Sequence, residues 1–131
     1  MTPFAFHTEE RLKSHQIIGS LFQEGLSFSI YPLRVIWRPL TEPNGSFPAQ
    51  FALTVPRRAF KRAVDRNQLR RRIREAYRLH KPHFYRQLPA DQDQQLALMV
   101  IYTAREALPY AVIERSMKRL LKRLARQVAK S

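Results

Sequence analysis

Lys61-Arg62-Ala63-Val64-Asp65-Arg66-Asn67-Gln68-Leu69-Arg70-Arg71-Arg72-Ile73-Arg74-Glu75 is too basic for a core element and too regularly spaced for a disordered tail. Between Arg57 and Lys81, eleven Lys/Arg face only Asp65 and Glu75, so these 25 residues hold +9 of the chain's net charge of +14. From Asn67 onward, Leu69, Ile73, Ala76, Tyr77 and His80 follow steps of 4, 3, 1 and 3, which makes one stripe on an α-helix. Asn67, Arg70, Arg71, Arg74 and Arg78 fall on a second stripe. Like charges one helical turn apart repel by roughly 0.2–0.5 kcal/mol per pair. A ridge of arginines kept against that repulsion points to a polyanion more than to a merely solvated face.

The rest of the chain can support a folded domain around this helix. At 131 residues, 44% of them hydrophobic, it is expected to form one domain over residues 1–131 with a real core. The charge directs attention to nucleic acid or an anionic membrane surface. Cysteine is absent, which excludes disulfides and thiolate metal sites and is compatible with a reducing compartment. No window approaches 18 apolar residues, and Met1-Thr2-Pro3-Phe4 lacks the basic start and apolar run of a secretion signal. The expectation is a soluble cytoplasmic protein.

On the N-terminal side of the basic helix, Thr8 with Glu9 and Glu10 reads as an N-cap with acids in the first turn. That helix would carry Leu12, Ile17 or Ile18, Leu21 and Phe22, and end at Gly25 as a C′ residue. Phe28 to Arg38 reads as a strand with Leu33, Val35 and Trp37 on a core face and Arg34, Ile36 and Arg38 on an open one. Residues 39–48, with three prolines and Asn44-Gly45, read as a loop or hairpin turn, and Gln50 to Val55 as a second strand. The basic helix would start near Asp65 and stop at Pro82. After an irregular stretch over 82–95, Leu96 to Tyr102 reads as a strand covered on both faces. Following Leu108-Pro109, a last helix to about Val128 aligns Tyr110, Ile113, Met117, Leu120, Leu121, Leu124 and Val128. The order αββαβα implies an α+β two-layer sandwich, a small sheet covered by helices.

Few residues suggest chemistry. His80 and His83 could share a helical face, but no carboxylate cluster accompanies them, and they read as surface or helix-end histidines. There is no nucleophile motif, glycine-rich phosphate loop or usefully paired carboxylates, so neither catalytic nor metal-ligating residues are assigned. The leucine stripe of the last helix reads as core, with its Lys/Arg attracting anions diffusely. The aromatics Phe22, Phe28, Tyr31, Trp37, Phe47 and Phe51 read mostly as core. One or two of them, beside Arg34 and Arg38, could offer a stacking platform for unpaired bases.

The segment Val55-Pro56-Arg57-Arg58-Ala59-Phe60 running into Lys61 to Glu75 resembles the signature of the bacterial ribonuclease P protein subunit: a basic stretch, Ala-Val, Arg-Asn-Arg, a basic pair and Arg-Glu. Arg11-Leu12-Lys13, Phe22, Gly25, the apolar third strand and the leucine-rich last helix extend the resemblance over most of the chain. Four positions depart from the family pattern. Gln68 replaces the second arginine of Arg-Asn-Arg, Lys61 a common glycine, Ile18 a phenylalanine, and Ile36 an aromatic of the first strand.

The resemblance implies the protein partner of a catalytic RNA that removes the 5′ leader of precursor tRNA. It implies chemistry in the RNA subunit, magnesium held mainly by RNA with no cofactor needed by the protein alone, and a left-handed βαβ crossover around the basic helix. The partners would be the ribonuclease P RNA and precursor tRNA, with no membrane and no obligate protein partner. Arg57, Arg58, Lys61, Arg62, Arg66, Asn67, Arg70, Arg71 and Arg74 would contact RNA, the arginines as forked phosphate donors. Ile18, Phe22 and Ile36 would line a cleft for the leader. The competing readings are a general or ribosome-associated RNA-binding protein with no role in tRNA cleavage, a lone metal-dependent nuclease using Asp65 or Glu75, and a membrane-surface binder using residues 110–128.

Overall fold

The computed structural model describes residue 6 and residues 10–40, 47–89 and 95–130. Along the chain run α1 (His15–Glu24), β1 (Leu26–Ile30), β2 (Leu33–Leu40), β3 (Ala49–Thr54), α2 (Ala63–Gln87), β4 (Gln95–Tyr102) and α3 (Tyr110–Lys130). The most apolar strand, β4, sits inside the sheet order β1-β2-β4-β3. It pairs antiparallel with β2, Trp37 opposite Leu98, and parallel with β3, Phe51 opposite the same Leu98. Because β3 and β4 are parallel neighbours, α2 is the helix of a βαβ unit, and the fold is α+β as expected.

Side-chain alternation divides the sheet into two faces. Leu33, Val35 and Trp37 of β2, with Leu96, Leu98, Val100 and Tyr102 of β4, join the apolar stripes of α2 and α3 in the larger core. The stripes are those expected: Leu69, Ile73, Ala76 and Tyr77 from α2, and Ile113, Met117, Leu120, Leu121, Leu124 and Val128 from α3, all buried. A membrane surface therefore has no apolar face of α3 left to bind. On the reverse face a smaller cluster of Ile36, Leu40, Ala97 and Met99 lies beneath Leu12 and Leu21, with Ile17 and Ile18 packed against it.

Several local expectations are corrected. The stretch from Phe28 to Arg38 is not one strand but parts of two, joined at Tyr31-Pro32; proline has no N–H for the ladder, and β1 folds back on β2 with Phe28 opposite Val35. The first helix starts at His15, where the Ser14 side chain accepts from the Ile17 N–H (3.3 Å). The expected Thr8 cap and Glu9 lie outside the described residues. Leu12 is not helical: its N–H donates to the Phe51 carbonyl (2.9 Å), and Arg11 bridges to Phe51, so residues 11–12 run along the β3 edge.

Gly25 does follow α1, but in extended backbone (φ −71°, ψ 150°). Its need for glycine is room, since a Cβ would lie 2.5 Å from the Leu21 oxygen and 2.6 Å from Ile36 Cγ2. Pro82 stands inside α2, which continues to Gln87. An interior proline costs about 3 kcal/mol. Burial of Phe84 and Leu88, at ~1.5–3 kcal/mol each, is enough to offset that cost.

Candidate nucleic-acid interface

Burial of Leu69, Ile73 and Tyr77 turns the opposite side of α2 outward. Asn67, Arg71 and Arg74 are exposed there and Arg70 is half-buried. Among the described residues, none of these three arginines is paired with a carboxylate. The ridge ends at Arg78, whose guanidinium donates to both oxygens of Glu75 (2.6 and 3.0 Å). That bond holds the Glu75 carboxyl below the usual carboxylate range and raises the Arg78 pKa. Asp65 lies 3.9 Å from Arg62. Asp65 and Glu75, either of which a lone nuclease would use, each lie beside an arginine.

Two arginines of the motif also bond the protein's own backbone. Arg66 Nη1 donates to the carbonyls of Phe60 (2.7 Å) and Lys61 (2.9 Å), clasping the loop that precedes α2. Arg72 Nη1 donates to the Leu108 carbonyl (2.8 Å), tying α2 to the entry of α3. The clasped loop is anchored by buried Phe60, while Arg57, Arg58, Lys61 and Arg62 stand exposed around it. No non-glycine among the described residues has positive φ, so Lys61 sits in ordinary backbone. Gln68 is exposed beside Asn67.

The structure adds Arg11 and Lys13, which sequence reasoning does not place in the site. Together with Arg70, Arg74 and the Phe51–Leu53 edge of β3 they line a groove of roughly 320 Å³. Arg11 also lies over the Phe6 ring, 5.6 Å from its centroid. The N-terminal segment that carries them is fastened to α2 by a buried cluster. Lys81 Nζ donates to both oxygens of Glu10 (2.6 and 2.7 Å), at 2% and 0% side-chain exposure. Tyr85 donates to the same carboxylate (2.6 Å) and lies 3.3 Å from the Tyr77 hydroxyl. Phe51 stacks on Tyr77 at 3.9 Å, and Phe6 meets both rings edge-on. Burial pushes the Tyr77 and Tyr85 hydroxyls well above the ordinary tyrosine range. One clue was local: Lys81 follows Tyr77 by four and continues the buried stripe. Its partner lies 71 residues away, beyond any local pattern.

The three residues expected around a leader cleft are placed unequally. Phe22 is 57% exposed on α1, Ile18 is half-buried against the reverse-face cluster, and Ile36 is only 3% exposed. The expected open face at Ile36 is thus corrected. Residue 36 alternates away from the main core, but α1 and Gly25 cover it. Its neighbours on that face remain polar: Arg34 is exposed and donates to Ser27 Oγ (3.3 Å), while Arg38 pairs with Glu24 (3.1 Å) at the end of α1. Phe28, Trp37 and Phe51 are core, leaving Phe22 and Tyr31 as the exposed rings of the aromatic group. His80 Nε2 lies 3.8 Å from Glu114, and no group of three metal-ligating side chains occurs among the described residues.

A family model described as Ribonuclease P matches residues 6–125. A "Ribonuclease P protein component" of Porphyromonas gingivalis is 32% identical over 128 residues, covering 98% of this chain and 92% of that protein. One from Chlorobaculum tepidum is 40% identical over 107 residues, covering 76% and 69%. Among solved structures, the RNase P protein of Staphylococcus aureus superposes with a TM-score of 0.68 at 21% identity, over 88% of this chain and 94% of that one. That of Thermotoga maritima gives 0.67 at 24% identity, over 87% and 96%. At these identities the two structures establish a shared fold.

Proposed function

The chain belongs to the ribonuclease P protein family and acts in tRNA 5′ processing as the protein subunit of that ribonucleoprotein, and on this premise we propose how its surface divides the work. The α2 ridge of Asn67, Arg70, Arg71 and Arg74, with Arg11 and Lys13 across the groove, holds phosphates of the ribonuclease P RNA. Arg57, Arg58, Lys61 and Arg62 extend that contact, and Arg66 positions their loop through the Phe60 and Lys61 carbonyls. On the reverse side of the sheet, Phe22 and Ile18 present an apolar edge to the leader of precursor tRNA, with Ile36 beneath as support. The observation that carries this reading is the row of arginines that have no carboxylate partner among the described residues, on a helix whose other face is packed.

Phosphodiester hydrolysis belongs, on this reading, to the RNA subunit, with magnesium held mainly by RNA. The protein's donor set supports that division, because Asp65 and Glu75 stand beside Arg62 and Arg78 instead of converging on one point. The complex works in the cytoplasm without a further protein partner; no helix among the described residues is long and apolar enough to cross a membrane. Arginine forks bind phosphate oxygens in pairs, and neutralising about six phosphates would make affinity fall ~10³-fold between about 50 and 200 mM salt.

The test is precursor-tRNA cleavage by the cognate RNA subunit at low magnesium, with and without this protein. The expected result is a large stimulation that Arg70→Ala/Arg74→Ala abolishes and Arg105→Ala, an exposed arginine beyond β4, does not. Stimulation unchanged in the double variant would overturn the ridge assignment.

A further inference from the structure

The proposed RNA face leaves a second block of positive charge unused. Residues 110–130 contain seven Lys/Arg and one acid, Glu114. Glu114 is occupied: Tyr110 donates to it (3.1 Å) and His80 lies beside it. Arg115, Lys118, Arg119, Lys122, Arg123 and Arg126 are all exposed. Among the described residues none of them pairs with a carboxylate. Packing of α3 accounts for its apolar stripe and for Arg123, whose guanidinium lies over the Phe28 ring, 4.3 Å from its centroid, but not for the other cations of its outer face. A surface serving solubility alone mixes both signs, whereas this one places 115/119, 118/122, 119/123 and 122/126 as like charges one turn apart.

Part of this charge converges on a concavity. α2 and α3 run side by side in the same direction, Arg72 against Leu108 and His80 against Glu114. Toward the C-terminal end of α2 they part to leave a groove of roughly 430 Å³. His80 and His83 line one wall, Lys118 and Lys122 the other, and Phe84 and Leu121 contribute apolar floor. His80 Nε2 is buried behind that wall, 3.8 Å from the Glu114 carboxylate. Two ammonium groups one turn apart over an apolar floor suit a ribose-phosphate strand: charge for the phosphates, hydrocarbon for the sugars.

The geometry points to this groove and the outer face of α3 as a second binding site for the ribonuclease P RNA, separate from the α2 ridge. Arg74 and His83 are nine residues apart on one helix, roughly 14 Å along its axis and half a turn around it, so the groove is a separate site on the other flank of α2, and an RNA that engages both must wrap around the helix. The RNA subunit is the occupant rather than the tRNA leader because the proposed leader edge lies on α1, across the sheet from α2 and α3. The inference rests on the reading of α2 as an RNA face, and the experiment separates the two.

Binding of the full chain to its cognate RNA subunit is measured against salt for Lys118→Ala/Lys122→Ala, for Lys118→Arg/Lys122→Arg and for Arg71→Ala/Arg74→Ala. Deleting one cation that neutralises a phosphate lowers the slope of log K against log salt by about 0.7–0.9. The alanine pair on α3 should therefore reduce the slope by about 1.4–1.8 units, and the arginine pair should retain it. Because the chain has no cysteine, Gln87→Cys carries a photocrosslinker in the groove alone, and it should label the RNA subunit in the holoenzyme. An unchanged slope, or label on precursor tRNA only, would overturn the second site. If Arg71→Ala/Arg74→Ala also leaves the slope unchanged, the failure lies in the ridge reading instead.

Discussion

Replacing Lys81 by alanine tests how the N-terminal segment is held and what it contributes. The residue lies 2% exposed against a carboxylate that is fully buried. Its removal leaves Glu10 with the Tyr85 hydroxyl, 2.6 Å away, as its remaining donor among the bonds described above. Removing one partner of a buried pair costs about 3–5 kcal/mol, because the other charge stays desolvated. A domain of this size gains only about 5–15 kcal/mol from folding. At ~3–5 °C per kcal/mol, the expected fall in Tm is about 9–25 °C. Exchanging both groups, as Glu10→Gln/Lys81→Met, leaves no lone charge and should cost clearly less than Lys81→Ala alone. Urea and thermal unfolding followed by circular dichroism, in a buffer whose anions screen the net charge of +14, give both values. RNA binding gives a second readout. If the pair holds Arg11 and Lys13 beside Arg70 and Arg74, the salt slope for the RNA subunit should fall by about 1–2 units in Lys81→Ala. A loss of stability below ~1 kcal/mol, or a double variant worse than the single one, would refute the reasoning.

Other perturbations read separate parts of the fold. Tyr77 and Tyr85 have folded-state pKa values raised above the ordinary 10.0 by burial. Their contribution is therefore complete below pH 10 and lost as pH rises past it. Tm measured from pH 8 to 11 should drop at the alkaline end, and Tyr85→Phe should flatten the drop; Tyr110, raised to about 12 by burial and by Glu114, leaves a residual slope. Gly25→Ala should destabilise by roughly 1–3 kcal/mol through overpacking against Leu21 and Ile36, and an unchanged urea midpoint would rule out the close approach. Phe22→Ala removes a ring that is 57% exposed, so stability should stay within about 0.5 kcal/mol. Affinity of the holoenzyme for precursor tRNA should fall by ~1–3 kcal/mol if a leader base stacks there, with binding of the RNA subunit unaffected.

The parts of the protein legible in its sequence are those governed by near neighbours along the chain. The period of Leu69, Ile73, Ala76 and Tyr77 already orients α2, and the unbroken apolar run of β4 already places it inside the sheet. The stripe of α3 and the outward arginines follow from the same periodicity, and the signature from Val55 to Glu75 is enough to suggest the family. Tertiary structure decided what those local patterns leave open. Pro82 stays helical because Phe84 and Leu88 are buried beyond it. Arg66, a candidate phosphate donor, also clasps the backbone carbonyls of its own loop, and Arg72 ties α2 to Leu108. Ile36 alternates away from the main core yet is sealed by α1, and Glu10 reaches across 71 residues to Lys81. Periodicity assigns a side chain to a face, because the backbone repeats at short range. Whether that face is open, covered or paired depends on which distant segment is packed against it, and only the folded chain brings those segments together.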